Sequence, residues 1–331
     1  MRKLQYVVVL LVVVSLSLGA VIGMGCGEDT QYTMGISQIV THPALDAIAD
    51  GFKDALAEEG YTEGDNLEFT ERNAEGDMPT SQTIAQTLIS MNPDLILGIS
   101  TPSTQHLAQA QDSAGTEIPI VFGALTNPVA AGILDDPEHP GGHITGVHDL
   151  GPIDQHVELM LEFSPNMTTI GTIYNPGEAN SVFQIEILQD ILDTEGLALL
   201  EAPVSTSADV LAAAQSLIGR CDVIYIVTDN TAVTGLSAIV GVCEENDIPL
   251  FTGDTTSVED GAMASIGPSF YSMGLSVGKI AARILEGENP GDIAVTGGEP
   301  TLLVVNESAA ARMGLTIPQS VLDRADEIIT E

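Results

Sequence analysis

Few groupings of residues in this chain could do covalent chemistry. Gly274-Leu275-Ser276-Val277-Gly278 reads G-x-S-x-G, a pattern that exposes a serine nucleophile only at a sharp strand-to-helix turn. Here it falls inside Phe270–Leu285, whose apolar residues follow helical spacing. Its glycines therefore read as a close-packing helix face, and Ser276 as a surface serine rather than the nucleophile of a secreted hydrolase. His139, His143 and His148 sit near Asp135, Asp136, Glu138 and Asp149, types that could hold a divalent metal. Pro137, Pro140, Gly141 and Gly142 make that stretch a loop, so no helical face fixes a ligand set and a solvated acidic loop is the preferred reading. Neither G-x-x-x-x-G-K-[ST] nor G-x-G-x-x-G occurs, which leaves nucleotide binding without support. No enzyme, catalytic residue, metal or cofactor is expected.

What remains is binding chemistry. Short polar groups follow one strand after another: Ser37-Gln38, Ser100-Thr101-Pro102-Ser103-Thr104 and Thr126-Asn127 in the first half. In the second half come Tyr174-Asn175, Asn180-Ser181, Asp229-Asn230-Thr231 and Asp254-Thr255-Thr256. Hydroxyls and free amides at a helix start suit an anionic group such as a carboxylate. Asp229 and Asp254 suit an ammonium. One lobe for each charge describes a zwitterion, so the candidate ligand-binding residues are Ser37, Gln38, Thr101, Ser103, Thr104, Thr126, Asn175, Asn180, Ser181, Asp229, Asn230, Thr231 and Asp254.

These groups must be held by a repeating frame. Short apolar runs at Tyr32–Ile36, Leu67–Arg72, Asp94–Ile99, Ile118–Phe122 and His143–Val147 predict strands. So do Thr169–Tyr174, Ala198–Val204, Asp222–Val227, Ile248–Thr252 and Gly261–Ile266. Several are continuous rather than alternating, as parallel strands buried on both faces require. Amphipathic stretches at Ala44–Glu59, Thr80–Met91, Ser181–Glu195, Ala208–Ile218 and Thr234–Asn246 predict the helices between them. The fold class is α/β, with two doubly wound parallel-sheet lobes. Thr41-His42-Pro43, Thr101-Pro102, Asn127-Pro128 and Asn175-Pro176 each follow a strand and read as helix starts, since proline at the first helical position loses no needed hydrogen bond. Turns of this kind lie at the carboxyl ends of parallel strands, where open α/β sheets bind ligands.

Charge and compartment bound the rest. The 331 residues carry 9 Lys+Arg against 47 Asp+Glu, a formal charge of −38. So few bases cannot form the stripe that a phosphate backbone needs, which excludes a nucleic-acid binder. With 44% apolar residues but no Trp, the core is expected from Ala, Val, Ile and Leu. The acid excess reads either as an ordinary solubilising surface or as halophilic adaptation, in which concentrated salt screens the self-repulsion. Residues 1–25 form a positive start, Met1-Arg2-Lys3, and an apolar run, and are expected to be a signal peptide. Their loss would remove two bases and no acids. Cys26, between Gly25 and Gly27, reads as a lipoprotein processing site whose acylated thiol anchors the protein outside the cytoplasm, although the position three before it is Gly23 rather than an aliphatic residue. Outside the cytoplasm Cys221 and Cys243 are candidates for a disulfide, with two free thiols as the alternative.

Longer blocks carry a resemblance: GISQIVTHPALD (35–46), NPDLILGISTPSTQ (92–105), IPIVFGALTNPVAAG (118–132), IYNPGEANS (173–181), IYIVTDNT (224–231) and IPLFTGDTTSVEDGAMASIG (248–267). In these blocks the chain resembles the tryptophan/tyrosine-type substrate-binding lipoproteins of ABC transporters, over roughly residues 32–325. The resemblance implies a type I periplasmic-binding fold, two lobes joined by three crossovers, closing on a ligand. It implies a first lobe of 31–149 plus 266–289 and a second of 150–265 plus 290–331. Ser103 and Thr104 then match a carboxylate cradle, and Asn175, Asn180, Ser181, Asp229, Asn230 and Asp254 match second-lobe cleft positions. The implied ligand is an aromatic or other apolar amino acid, with Tyr174, Phe251 and Tyr271 available as aromatic walls. The implied partner is a membrane permease and the expected state a monomer; a ligand sensor signalling to a membrane receptor is the alternative.

Overall fold

A computed structural model describes residues 31–330, so the expected signal peptide and Cys26 lie outside the described residues. The first sheet is built from β1 (Tyr32–Gln38), β2 (Leu67–Asn73), β3 (Leu95–Ile99), β4 (Ile120–Gly123) and β5 (Ile144–His148). Helices α1 (Pro43–Glu58), α2 (Met78–Met91) and α3 (Thr101–Ala114) connect them. β3 is buried at every position, Leu-Ile-Leu-Gly-Ile, because helices cover both of its faces.

The second sheet begins after α4 (Ile153–Phe163) with β6 (Thr169–Tyr174), α5 (Ala179–Glu195) and β7 (Ala198–Pro203). It continues through α6 (Val210–Leu217), β8 (Val223–Ile226), α7 (Asn230–Thr234), α8 (Leu236–Glu245), β9 (Leu250–Thr252) and β10 (Ala264–Pro268). The chain then returns to the first lobe as α9 (Phe270–Leu285) and β11 (Thr296–Gly297). It finishes in the second as β12 (Thr301–Asn306), α10 (Glu307–Arg312), α11 (Gln319–Leu322) and β13 (Glu327–Ile329). Sheet orders are β11-β5-β4-β3-β1-β2 and β13-β12-β10-β9-β8-β6-β7. All pairings are parallel except β10 with β12, which run antiparallel. The doubly wound α/β class expected from the sequence is the one present, with crossovers after β5, after β10 and after β11.

Sheet membership places the later exchange points a few residues beyond the expected 266 and 290. β10 through Pro268 bonds to β9 and β12 in the second sheet, so the chain crosses at Ser269. Residues 290–297 still serve the first sheet: Thr296 pairs with Val147, and the Thr145 hydroxyl donates to the Ile293 carbonyl at 2.7 Å. Of the stretch expected as one helix over Thr234–Asn246, Thr234 closes α7 and α8 begins at Leu236, the break falling at Gly235, where a Cβ would lie 2.7 Å from Val210. Asn127-Pro128 and Asn175-Pro176 do not start helices. Asn127 Oδ1 instead accepts from Val129 N and Ala130 N, and Asn175 Oδ1 from Gly177 N, closing local turns.

The lobes have separate apolar cores of Ile, Leu, Val and Ala with few aromatics. α9 belongs to the first-lobe core and packs on α1 with almost no intervening side chain. A Cβ on Gly274 would stand 2.4 Å from the Ile48 carbonyl oxygen, and one on Gly278 2.6 Å from that of Phe52. The G-x-S-x-G glycines are thus a contact between backbones, and Ser276 Oγ donates along its own helix to the Ser272 carbonyl. Cys221 and Cys243 are free thiols in the second lobe, not a disulfide. Cys243 is fully buried in the core, and Cys221 Sγ donates to the Leu217 carbonyl.

Candidate interlobe ligand cleft

The carboxyl ends of both sheets face one cleft of about 410 Å³, counted out to its open mouth. The first lobe lines it with His42, Ala44 and Leu45 after β1, Ser100 and Thr101 after β3, Ala124 after β4, and Phe270 at the start of α9. The second supplies Thr228, Asp229, Asn230 and Val233 after β8, and Asp254 after β9. Asp149 completes it from the first crossover.

Among the described residues, three carboxylates line the cleft and no Lys or Arg does. Asp149 is 4% exposed and its Oδ1 has no protein partner. Burial pushes its carboxyl up to about 6, with the Asp254 charge adding to the shift and the Thr126 hydroxyl opposing it. Asp229 caps α7. Its Oδ1 accepts from Ala232 N at 2.6 Å, and its Oδ2 from Asn175 N at 2.7 Å and Ser181 Oγ at 2.6 Å. Burial and then the Glu178 charge push it up to about 7 against those three bonds. Asp254 accepts from Thr256 Oγ1, Ser257 N and Ser257 Oγ at 2.7, 2.8 and 2.7 Å. An ionised carboxylate offers about four acceptor positions, so Asp229 and Asp254 each keep roughly one for a ligand.

The first-lobe wall carries hydroxyls and an imidazole. α3 begins at Ser100-Thr101, and Ser100 holds φ 81° and ψ 164°, a conformation other residues leave to glycine. Ser100 Oγ has no protein partner, and neither does His42 Nε2. Ala124, also on the wall, has φ 55°. Two left-handed non-glycine residues at one cleft are strain of the sort that concentrates at functional sites.

Of the thirteen residues expected from the sequence, Thr101, Asp229, Asn230 and Asp254 line the cleft. The remainder stand behind it. Ser181 holds Asp229, Asn175 Nδ2 donates to Thr231 Oγ1, and Asn180 Nδ2 donates to the Thr228 carbonyl. Thr104 Oγ1 donates to the Ser100 carbonyl, and Gln38 Nε2 to Asp46 and the Val40 carbonyl. Thr126 lies beside Asp149, while Ser37 and Ser103 are buried with unpartnered hydroxyls.

Sequence reasoning passed over Glu178, 1% exposed, which accepts from the backbone and side chains of both Asn230 and Thr231 at 2.5–3.2 Å. It also passed over His42, Asp149 and Phe270. The aromatic wall is Phe270 rather than Tyr174, Phe251 or Tyr271. Phe251 is core against Phe163, and the hydroxyls of Tyr174 and Tyr271 are bound to Glu201 and Asp54. The three histidines of the 135–149 loop occupy separate places: His139 meets Asp136, His143 lies 3.8 Å from Glu117, and His148 packs on Gly297.

Comparison with known proteins fits this architecture. Residues 33–329 match the family of ABC transporter substrate binding proteins. The chain is 41% identical over 277 residues to a tyrosine-binding protein of Clostridioides difficile (strain R20291), covering 84% of this chain and 79% of that one. Among solved structures it is similar to an ABC domain in complex with L-Trp from Streptococcus pneumonia, with a TM-score of 0.85 and 33% identity over 91% of this chain and all of that one. It is also similar to a ligand-free, open substrate binding protein with adhesive properties from Clostridium difficile, with a TM-score of 0.67 and 36% identity over 91% of this chain and all of that one. Proteins of this family are extracytoplasmic, and among the described residues no helix is long and apolar enough to cross a membrane. With its two sheets, three crossovers and interlobe cleft, the chain belongs to the ABC transporter substrate-binding protein family.

Proposed function

We propose that the cleft captures the zwitterion of an aromatic or other apolar amino acid and that the protein delivers it to an ABC permease. The observation that carries the ligand class is the polarity of the cleft. Three carboxylates line it with no Lys or Arg among the described residues, together with the hydroxyls at the start of α3 and the apolar side chains of Ala44, Leu45, Val233 and Phe270. The tyrosine and tryptophan named for two relatives support the same class.

The ligand's ammonium meets Asp149 and the spare acceptor positions of Asp229 and Asp254. Its carboxylate meets Ser100, Thr101 and the first turn of α3, whose backbone N–H groups favour negative charge. Closure is the switch: a ligand bridging both walls stabilises the closed arrangement over the open one. The chain fits the L-Trp complex better than the open, ligand-free relative despite the latter's higher identity, which supports reading this arrangement as the closed one. The signal peptide exports the protein and is removed, and a lipid on Cys26 tethers it, as a monomer, to the outer face of the membrane.

Calorimetric titration with L-tyrosine, L-tryptophan, L-phenylalanine and L-leucine tests the ligand class. Saturable 1:1 binding of at least one is expected. Binding of none, with a sugar or nucleoside carried through native purification instead, refutes it.

A further inference from the structure

His42 sits on the first-lobe wall at 8% exposure, at the amino end of α1. Its Nδ1 accepts a hydrogen bond from the Ala44 backbone N–H at 3.3 Å and so caps the helix, with Pro43 in the first helical position. A neutral imidazole carries one proton. With Nδ1 committed as an acceptor, that proton is on Nε2, which lacks any protein partner. The cap therefore fixes the tautomer and leaves a buried N–H donor on the cleft wall. A buried donor left unmatched is costly, so its partner is expected from whatever fills the cleft.

The other polar groups decide what that partner is. Asp229 and Asp254 from the second lobe, and Asp149 from the crossover, offer acceptors only when ionised. Ser100 and Thr101, on the same first-lobe wall as His42, present hydroxyls at a helix start. The donors His42, Ser100 and Thr101 thus stand on the first-lobe wall and Asp229 and Asp254 on the second, with Asp149 at the crossover beside Thr126. The carboxylate end of a zwitterion belongs with the donors.

We infer that His42 is a specificity-determining residue, whose Nε2–H donates to the carboxylate of the bound amino acid and selects ligands that carry one. This rests on the amino-acid reading of the cleft and assigns it an orientation. Its chemical consequence is discrimination against amines lacking the carboxylate, because they leave the Nε2–H unmatched in a closed site.

The test compares L-tyrosine with tyramine, the same molecule without its carboxylate, on the full protein and on His42→Asn. Asparagine is a good helix cap, so the melting temperature of the ligand-free variant should stay close to that of the wild type, while the Nε2 donor is gone. His42→Ala, which loses cap and donor together, serves as the stability control. The wild type should prefer tyrosine over tyramine, and in His42→Asn that preference should fall at least tenfold, chiefly through weaker tyrosine binding. A purely structural role for His42 would weaken both probes alike. An unchanged tyrosine-to-tyramine ratio in His42→Asn overturns the inference and leaves the amino-acid reading standing. Binding of neither probe by the wild type overturns the inference as drawn for tyrosine, and the amino-acid reading falls with it only when tryptophan, phenylalanine and leucine also fail to bind.

Discussion

Asp149 gives the sharpest quantitative test of the cleft. Its carboxyl is raised from 3.8 to about 6, chiefly by burial. Because the folded value exceeds the unfolded one, the protonated group favours folding at low pH. That contribution is complete below about pH 4 and is lost as pH rises through 6. A shift of about two units corresponds to ~3 kcal/mol of folding free energy forgone at pH 8. Asp149→Asn keeps the shape and a partner for Thr126 without the charge. The variant should therefore be the more stable protein at pH 8, by about 2–3 kcal/mol. For a chain of this length each kcal/mol moves the melting temperature by roughly 2 °C, giving a gain of about 5 °C. The gap should close as pH falls to 4. Because the variant is compared with wild type at each pH, the opposing effect of His156 cancels; burial pulls that group down to about 4, so it penalises folding as pH falls below 6.5. Scanning calorimetry of both ligand-free proteins at pH 4, 6 and 8 measures the gap, and titration with the bound amino acid at pH 8 should show the stabilised variant binding at least tenfold more weakly. A variant less stable than wild type at pH 8, or a gap that does not change with pH, would refute the reasoning.

Other perturbations reach other parts of the frame. Ser100→Gly should raise stability by about 1 kcal/mol by relieving its backbone strain, yet weaken ligand binding in calorimetry through loss of the hydroxyl. Glu178→Gln replaces an acceptor of four hydrogen bonds with an amide that can take only part of them, and should cost about 2–4 kcal/mol in denaturant unfolding. It should also lower the titration midpoint of Asp229, followed by NMR, since the Glu178 charge helps hold that carboxyl up. Gly274→Ala drives a methyl onto the Ile48 carbonyl, for an expected loss of roughly 2 kcal/mol or more, whereas Ser276→Ala on the same helix should be nearly neutral. With a formal charge of −38, the melting temperature should rise steadily as sodium chloride is raised toward 1 M.

Strands buried on both faces were legible because burial writes itself as an unbroken apolar run, as in Leu95–Ile99 and Val223–Ile226. β11 and β13 carry no such signal: each is two or three residues long with exposed positions, and only the neighbouring strand makes it a strand. Asp229 and Asp254 could be read as cleft acids because each directly follows a strand. Asp149 follows one too, but among three histidines and several acids it reads as part of a solvated acidic loop. Nothing local distinguishes Phe270 from Tyr271. At the first turn of a helix, one residue turns a side chain by about 100°, which here separates the cleft wall from a surface bond to Asp54. The unpartnered Nε2 of His42 is a tertiary fact, since its cap bond is local but its burial requires the whole cleft.

The interleaved connectivity has a consequence for biosynthesis. The first sheet is not complete until β11 at residues 296–297, and its core needs α9, while the second closes only with β13 at 327–329. Neither lobe is a continuous piece of chain. A ribosome releasing this sequence from the amino end therefore holds two unfinished cores until its last few dozen residues emerge. A chain built this way stays threadable while it is being made: the first half can close once residue 297 has emerged, the second only with residue 329.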